Sequence, residues 1–401
     1  MALQAPSKDS LAFSGGALVA DHLLEPWYRA ISADITGLKI FDAHTHIGCA
    51  DPDGSCVAAD ELTAAVELVD GHAVVFPLAE PVGYAVANER ILEAGQRSDG
   101  RLVPFCRADP HGAGIEEVKQ AVDGGAVGIK LHPRSEHFML GEPAVERIVA
   151  YASEHRLPVI VHAGRGIPSL GRDALTLTQR YPDVTMILAH LAISDLSWLW
   201  SEAGGQRNLL FDTAWWNTAD QLTMFSMMPP GQIVFGSDAP YGRPIATATF
   251  ALRAALACGL NHDQIRSVFG GQLARILSGE APLDLGPATM TPPPSPGPLL
   301  ERLHTLLVAA AARLTAGYPA DEYLELVELA CEIPSSHPAA PVAASVRTLL
   351  HRYLHHSRMA PPQRGPRIPG IHLIFVAETI ARTPGLPLPA LGPSGDVLVA
   401  A

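Results

Sequence analysis

Lys39-Ile-Phe-Asp-Ala-His-Thr-His-Ile-Gly48 is the stretch on which the fold turns. An apolar lead runs into Asp42, and His44 and His46 follow with one residue between them. Side chains alternate faces along a β-strand, so the two imidazoles point the same way, about 7 Å apart. Two imidazoles on one face at a strand's end can share a divalent ion such as zinc, nickel, iron or copper. Two polar residues where a strand meets a loop would read the same way, so the weight falls on what the rest of the chain supplies.

On either side of it, and above all downstream, short β-branched or apolar runs alternate with helical patterns. After 39–46 the strand candidates are 73–77, 102–106, 127–132, 158–162, 185–190, 208–213 and 232–238. Between and after them, Ala58–Val69, Val86–Ala94, Ile115–Val122, Ala144–His155, Ile245–Cys258 and Asp263–Leu277 carry apolar residues at helical spacing. Near-continuous apolar strands alternating with helices imply a parallel sheet covered by helices. Eight such units over roughly 240 residues is the size of a closed (β/α)8 TIM barrel. An open doubly wound sheet would usually begin with a Gly-rich phosphate turn after its first strand. Here that strand ends in His-Thr-His, which favours the barrel.

The expected organisation is an N-terminal lead-in at 1–38 with a short helix near Pro26–Ile35, then the barrel at 39–288. A Pro-rich linker follows at 289–298, and a helical C-terminal extension at 299–401. Helices are expected there at 299–315, 321–332, 341–357 and 371–382, with a second Pro-rich run at 360–370. His351, His355 and His356 read as surface histidines on one of those helices.

Composition narrows the function. Of 401 residues, 48% are hydrophobic and 17% charged, as in a well-buried globular enzyme. The net charge of -13 argues against nucleic acid or an anionic membrane as partner, leaving a small-molecule substrate; a homo-oligomer stays open. No apolar run reaches the roughly 20 residues of a membrane span, and the first ten residues show no signal core. The five cysteines form no Cys-x-x-Cys pair, which suits a reducing compartment better than a disulfide framework. A soluble cytoplasmic protein is the expectation.

Polar residues recur where the strands end. Lys130 and His132 end the fourth, His162 the fifth, His190 the sixth and Asp238 the eighth. In a barrel these ends meet at one face, so the side chains would surround one pocket with His44 and His46. Lys occurs only at positions 8, 39, 119 and 130, so a Lys inside this pattern stands out. Arg165, Trp215, Trp216, Tyr241 and Arg243 follow strand ends and are rim candidates. Asp212 would orient a histidine or a loop.

Phe41-Asp-Ala-His-Thr-His46, Gly128-Ile-Lys-Leu-His-Pro133, Val159-Ile-Val-His162, Ile187-Leu-Ala-His190, Leu210-Phe-Asp-Thr213 and Phe235-Gly-Ser-Asp-Ala-Pro240 follow in that order. The set resembles the amidohydrolase superfamily, and within it the amidohydrolase-related (amidohydrolase 2) family, which includes aminocarboxymuconate-semialdehyde decarboxylase-like enzymes. The resemblance covers roughly 39–280. Gly270-Gly-Gln272 departs from the Gly-Gly-Asn or Gly-Asn-Asn more usual in relatives, at a packing position near the last helix.

The resemblance implies that His44, His46, His162 and Asp238 hold one divalent metal, most often zinc. It makes Asp238 a proton acceptor and His190 a second-site ligand or the group that polarises substrate. Lys130 would either bridge two metals as a carbamate or act as a plain cation. His132, Arg165 and Trp215 are the expected substrate contacts; an Arg at 165 could hold a carboxylate bidentately. The expected activity is hydrolysis of a C–N or C–O bond by activated water. The alternatives are a decarboxylase using the same ligands and a barrel that has lost activity and serves as a scaffold.

Overall fold

The computed structural model describes residues 20–52, 54–359 and 368–392. The N-terminal residues read for a signal core, and most of the Pro-rich run at 360–370, lie outside them. The chain divides into two compact units. One is Ser32–Pro294. The other joins residues up to Ile31 with those from Ser295 onward.

In the first unit every expected strand position is occupied. The strands are β1 (Phe41–Ile47), β2 (His72–Pro77), β3 (Leu102–Pro104), β4 (Cys106–Arg107), β5 (Ile129–Leu131), β6 (Val159–Val161), β7 (Met186–Leu188), β8 (Leu209–Asp212) and β9 (Ile233–Val234). All neighbours pair in parallel, in the order β1-β2-β3 and β4-β5-β6-β7-β8-β9. The expected strand 102–106 is split into β3 and β4 around Phe105, yet its backbone continues the ladder. Phe105 N donates to Val75 O at 2.9 Å, and Cys106 N to Gly128 O at 3.0 Å.

At the other edge the segment after β9 bonds back to β1. Ala43 N donates to Phe235 O at 2.8 Å, Asp238 N to His44 O at 2.8 Å and His46 N to Ala239 O at 2.7 Å. These bonds close a (β/α)8 barrel. Its interior is filled by side chains rather than open: Ala43, Val74, Phe76, Phe105, Ile160, Ile187, Leu210 and Val234 form one buried cluster.

Several strands are shorter than the sequence pattern suggests. His132, His162, His190 and Asp238 stand beyond the last paired residue of β5, β6, β7 and β9. Backbone bonds still reach some of these positions, His162 N donating to Leu131 O at 2.9 Å and Asp238 N to His44 O at 2.8 Å. β1 carries a bulge between Asp42 and Thr45, which gives it an extra residue against β2.

Helices follow the expected positions, with shifts of a few residues. Three others, Leu170–Arg180, Leu196–Ala203 and Thr218–Met227, were not anticipated. The expected helix Asp263–Leu277 is interrupted by a π-turn at Ser267–Gly271. Immediately after it, Gln272 donates to Leu283 O at 3.1 Å and accepts from Leu283 N at 3.0 Å. That fixes the chain as it leaves the barrel, so the Gln of Gly270-Gly-Gln272 is a packing residue.

The cysteine reading needs correction. Cys49 and Cys56 are disulfide-bonded, and Cys106, Cys258 and Cys331 are buried outside any disulfide among the described residues. Gly48 and Val57 pair in an antiparallel bridge with two backbone bonds of 3.0 Å, which brings the cysteines together. Spacing motifs and parity do not register a contact created by that local turn.

The second unit is helical. Asp21–Ser32, five residues earlier than expected at its start, belongs to it rather than to a lead-in for the barrel. Trp27 Nε1 donates to Ser345 Oγ at 2.7 Å, and the Arg352 guanidinium lies 4.9 Å from the Trp27 ring centre. Helix Ile371–Arg382 is buried along most of its length, against Pro298–Thr315 and Ala340–Met359. His351 is exposed and bonds Glu328 at 2.9 Å, as a surface histidine would. Among the described residues no helix is long and apolar enough to cross a membrane.

Candidate metal centre

A cavity of about 750 Å³ opens at the carboxyl ends of the strands. All nine residues expected at the site line it: His44, His46, Lys130, His132, His162, Arg165, His190, Trp215 and Asp238. What they can do depends on which ring nitrogens carry hydrogen.

Three histidines have Nδ1 against an oxygen that only accepts. His44 Nδ1 is 2.7 Å from Asp212 Oδ2, His46 Nδ1 is 3.3 Å from Pro77 O, and His190 Nδ1 is 2.8 Å from Ala214 O. In the neutral rings the proton therefore sits on Nδ1 and the lone pair on Nε2. His44 Nε2 and His46 Nε2 each lie 3.2 Å from Asp238 Oδ1. Asp238 Oδ1 thus faces two lone pairs, and acceptors this close repel unless a cation or a proton lies between them. Here Lys130 Nζ stands 3.1 Å from His44 Nε2.

His162 follows from His190. With its proton on Nδ1, His190 accepts at Nε2, so His162 Nδ1, 2.9 Å away, is the donor. That leaves the lone pair of His162 on Nε2, which is buried and has no hydrogen-bond partner among the described residues. This atom is turned toward Gly164 rather than the other three, since a Cβ on Gly164 would come within 2.6 Å of it. His132 stacks on His162, ring centres 3.9 Å apart and planes at 10°. His44, His190 and Asp238 offer ligand atoms within 4.8 Å of one another. The donor set of imidazole nitrogens and one carboxylate fits a divalent ion of the zinc type.

The backbone is shaped for this convergence. His190 and Asp238 have φ of 56° and 59°, left-handed values that cost a non-glycine residue about 1–3 kcal/mol. Hydrogen bonds hold both in place. Asp212 Oδ1 accepts from His190 N at 2.8 Å and Ala214 N at 3.0 Å. Asp238 O accepts from Tyr241 N and Gly242 N at 2.8 and 3.0 Å. Asp42 Oδ1 ties β1 to the last turn by accepting from His44 N at 3.0 Å and Ser237 N at 2.9 Å. Gly236 is required for close approach, because a Cβ there would lie 3.0 Å from His44 Cβ and 3.2 Å from Asp212 Cβ.

Burial and charge set the protonation states. Burial alone would raise Asp238, but the charge interactions with His44 and His190 and the close contacts with His44 and His46 hold it well below the usual carboxylate range. Burial pushes Lys130 down to about 7, against the pull of Asp212 and Asp238. Burial pushes His46 down to about 3 and lowers His190. For His44, burial and Lys130 are outweighed by Asp212 and Asp238, and its pKa rises above 6.5.

At the rim, Arg165 lies 5.3 Å from the Trp215 ring centre, and Trp215 stacks with Trp216. Tyr241 donates to Asp51 Oδ2 at 2.6 Å. Arg243 is the N-cap residue of helix Pro244–Ala257. Sequence reasoning passed over a buried cluster in the cavity wall: Arg107 pairs with Glu136 at 2.7 Å, and the Tyr84 hydroxyl donates to the same Glu136 oxygen at 2.7 Å. Arg107 ends the third strand position as Phe-Cys-Arg, the same signal that marked the histidines. Tyr84 and Glu136 are loop residues with no comparable mark.

The profile of the family described as amidohydrolase matches residues 41–275. No curated protein matches the chain. Among solved structures, a proposed amidohydrolase from Staphylococcus aureus is 14% identical with a TM-score of 0.50, covering 60% of this chain and 100% of its own. A 2,6-dihydroxybenzoate decarboxylase from Rhizobium is 14% identical with a TM-score of 0.48, over 60% of this chain and 98% of its own. A 5-carboxyvanillate decarboxylase from Sphingomonas paucimobilis is 14% identical with a TM-score of 0.45, over 60% and 99%. At 14% identity the first of these speaks for the fold alone. The family profile spans more than half of the sequence, and the chain belongs to the amidohydrolase family.

Proposed function

We propose that this chain is a metal-dependent hydrolase that cleaves a C–N or C–O bond of a small molecule in the barrel-mouth cavity. The observation that carries the reading is the pair of imidazole lone pairs, His44 Nε2 and His46 Nε2, converging on Asp238 Oδ1. His44, His46 and Asp238 would hold one zinc-type ion, and His162 Nε2 would join them once its ring turns away from Gly164. When bound, the ion supplies Lewis acidity at the cavity floor.

The chain's own residues do the rest. Asp238, kept ionised, accepts a proton at its carboxylate as water attacks. Lys130, whose pKa burial brings to about 7, holds a proton at Nζ that it can pass to a leaving group near neutral pH. The expected roles of His190 are a second-site ligand or the group that polarises substrate. With both nitrogens engaged, it serves in this geometry to set the tautomer of His162. Trp215 and Arg165 form a wall that accepts a flat or anionic group.

A second reading is a carbon–carbon lyase that decarboxylates a small acid with the same residues. Arg165 at the rim favours it, because a guanidinium fork suits a carboxylate. Metal-loaded protein turned over in H₂¹⁸O with candidate substrates tests the two. Incorporation of ¹⁸O into product supports hydrolysis. Release of CO₂ without incorporation overturns it in favour of the lyase.

A further inference from the structure

The buried pair Arg107–Glu136 is not used by the chemistry above. Both side chains line the cavity, at 2% and 6% exposure. The pair is held rigidly. Asn88 clamps the Arg107 backbone on both sides, Nδ2 donating to Arg107 O at 3.0 Å and Oδ1 accepting from Arg107 N at 2.9 Å. Arg107 Nη1 donates to Pro77 O at 3.2 Å, its guanidinium lies 4.9 Å from the Tyr84 ring centre, and Tyr84 pins Glu136.

A buried ion pair is expensive to maintain, and its remaining polar atoms normally find partners. These do not: Arg107 Nε, a donor, and Glu136 Oε2, an acceptor, are buried without hydrogen-bond partners among the described residues. The pair has a net charge near zero and keeps one donor and one acceptor in reserve.

We infer that Arg107 and Glu136 form a specificity subsite for a neutral substrate group that both accepts and donates, a carboxamide or a hydroxyl, rather than for a carboxylate. Such a group accepts from Arg107 Nε–H and donates to Glu136 Oε2. A carboxylate can accept but has nothing to donate, and it is repelled by Glu136. The inference rests on the proposed cavity being the substrate site. Binding of unreactive probes tests it without turnover, so it can fail while hydrolysis stands, or stand while hydrolysis fails.

The experiment uses the metal-loaded full chain and calorimetric titration with benzamide, benzoate and acetophenone. The double variant Arg107→Met/Glu136→Leu removes both charges together, so neither is left buried and unpaired. Glu136→Gln keeps the side-chain volume as a second variant. Benzamide is expected to bind about tenfold more weakly to the double variant and severalfold more weakly to Glu136→Gln, with benzoate and acetophenone little changed. Unchanged benzamide affinity in both variants, or an equal loss for benzoate, overturns the subsite.

Discussion

Asp212 Oδ2 stands 2.7 Å from His44 Nδ1, and that contact decides which nitrogen His44 has left to give. A carboxylate behind a ligating imidazole fixes its tautomer and raises its basicity. The other oxygen of Asp212 takes the amides of His190 and Ala214, so one side chain orders two parts of the site. Asp212→Ala should weaken zinc binding by about 10–100-fold, read by competition against a chromophoric chelator. Wild-type affinity in a folded variant would show that His44 needs no such support.

His162 and His190 should separate by function. His162→Ala is expected to lower metal content, because it removes a lone pair. His190→Ala should retain a metal yet turn over at least about tenfold more slowly, since His162 loses the partner that sets its tautomer. Elemental analysis alongside kinetics checks both, and metal loss in His190→Ala alone would reverse the assignment.

Metal binding should release protons. Without an ion, the raised pKa of His44 keeps a share of its rings protonated near pH 7, and Lys130 at about 7 is partly an ammonium beside it. A cation displaces the His44 proton, while Lys130 keeps its own for the leaving group, so affinity should fall as pH drops below 7. Calorimetry in buffers of different ionisation enthalpy would read the release; no buffer dependence at pH 7 would contradict these protonation states.

Gly236→Ala tests the close approach of the segment after β9 to β1 and β8. The new methyl meets His44 Cβ and Asp212 Cβ at 3.0 and 3.2 Å, so backbone or side chains must shift. Thermal unfolding should show a loss of about 1–3 kcal/mol. Metal affinity should fall as well. A change in neither would mean the strands give way freely.

Much of this was legible in the sequence because barrel strands are short apolar runs and barrel sites stand at their ends. His44, His46, Lys130, His162, His190 and Asp238 could be read from that rule. The tautomers could not, since they depend on Pro77 O and Ala214 O, carbonyls that any residue provides. Helices such as Leu170–Arg180 went unread because their apolar residues are sparse among polar ones. Asp21–Ser32 was assigned to a lead-in because its partners, Ser345 and Arg352, lie more than 300 residues away along the chain. Tyr84 and Glu136 were invisible because a loop residue acquires meaning only through what the fold places beside it.

The central claim is that His44, His46 and Asp238 surround a cation. Crystals of zinc-loaded protein, measured at the zinc absorption edge, test it most directly. An anomalous peak is expected about 2.0–2.2 Å from His44 Nε2, His46 Nε2 and an Asp238 carboxylate oxygen. Fully loaded crystals with no peak within coordination distance of those three atoms would contradict it.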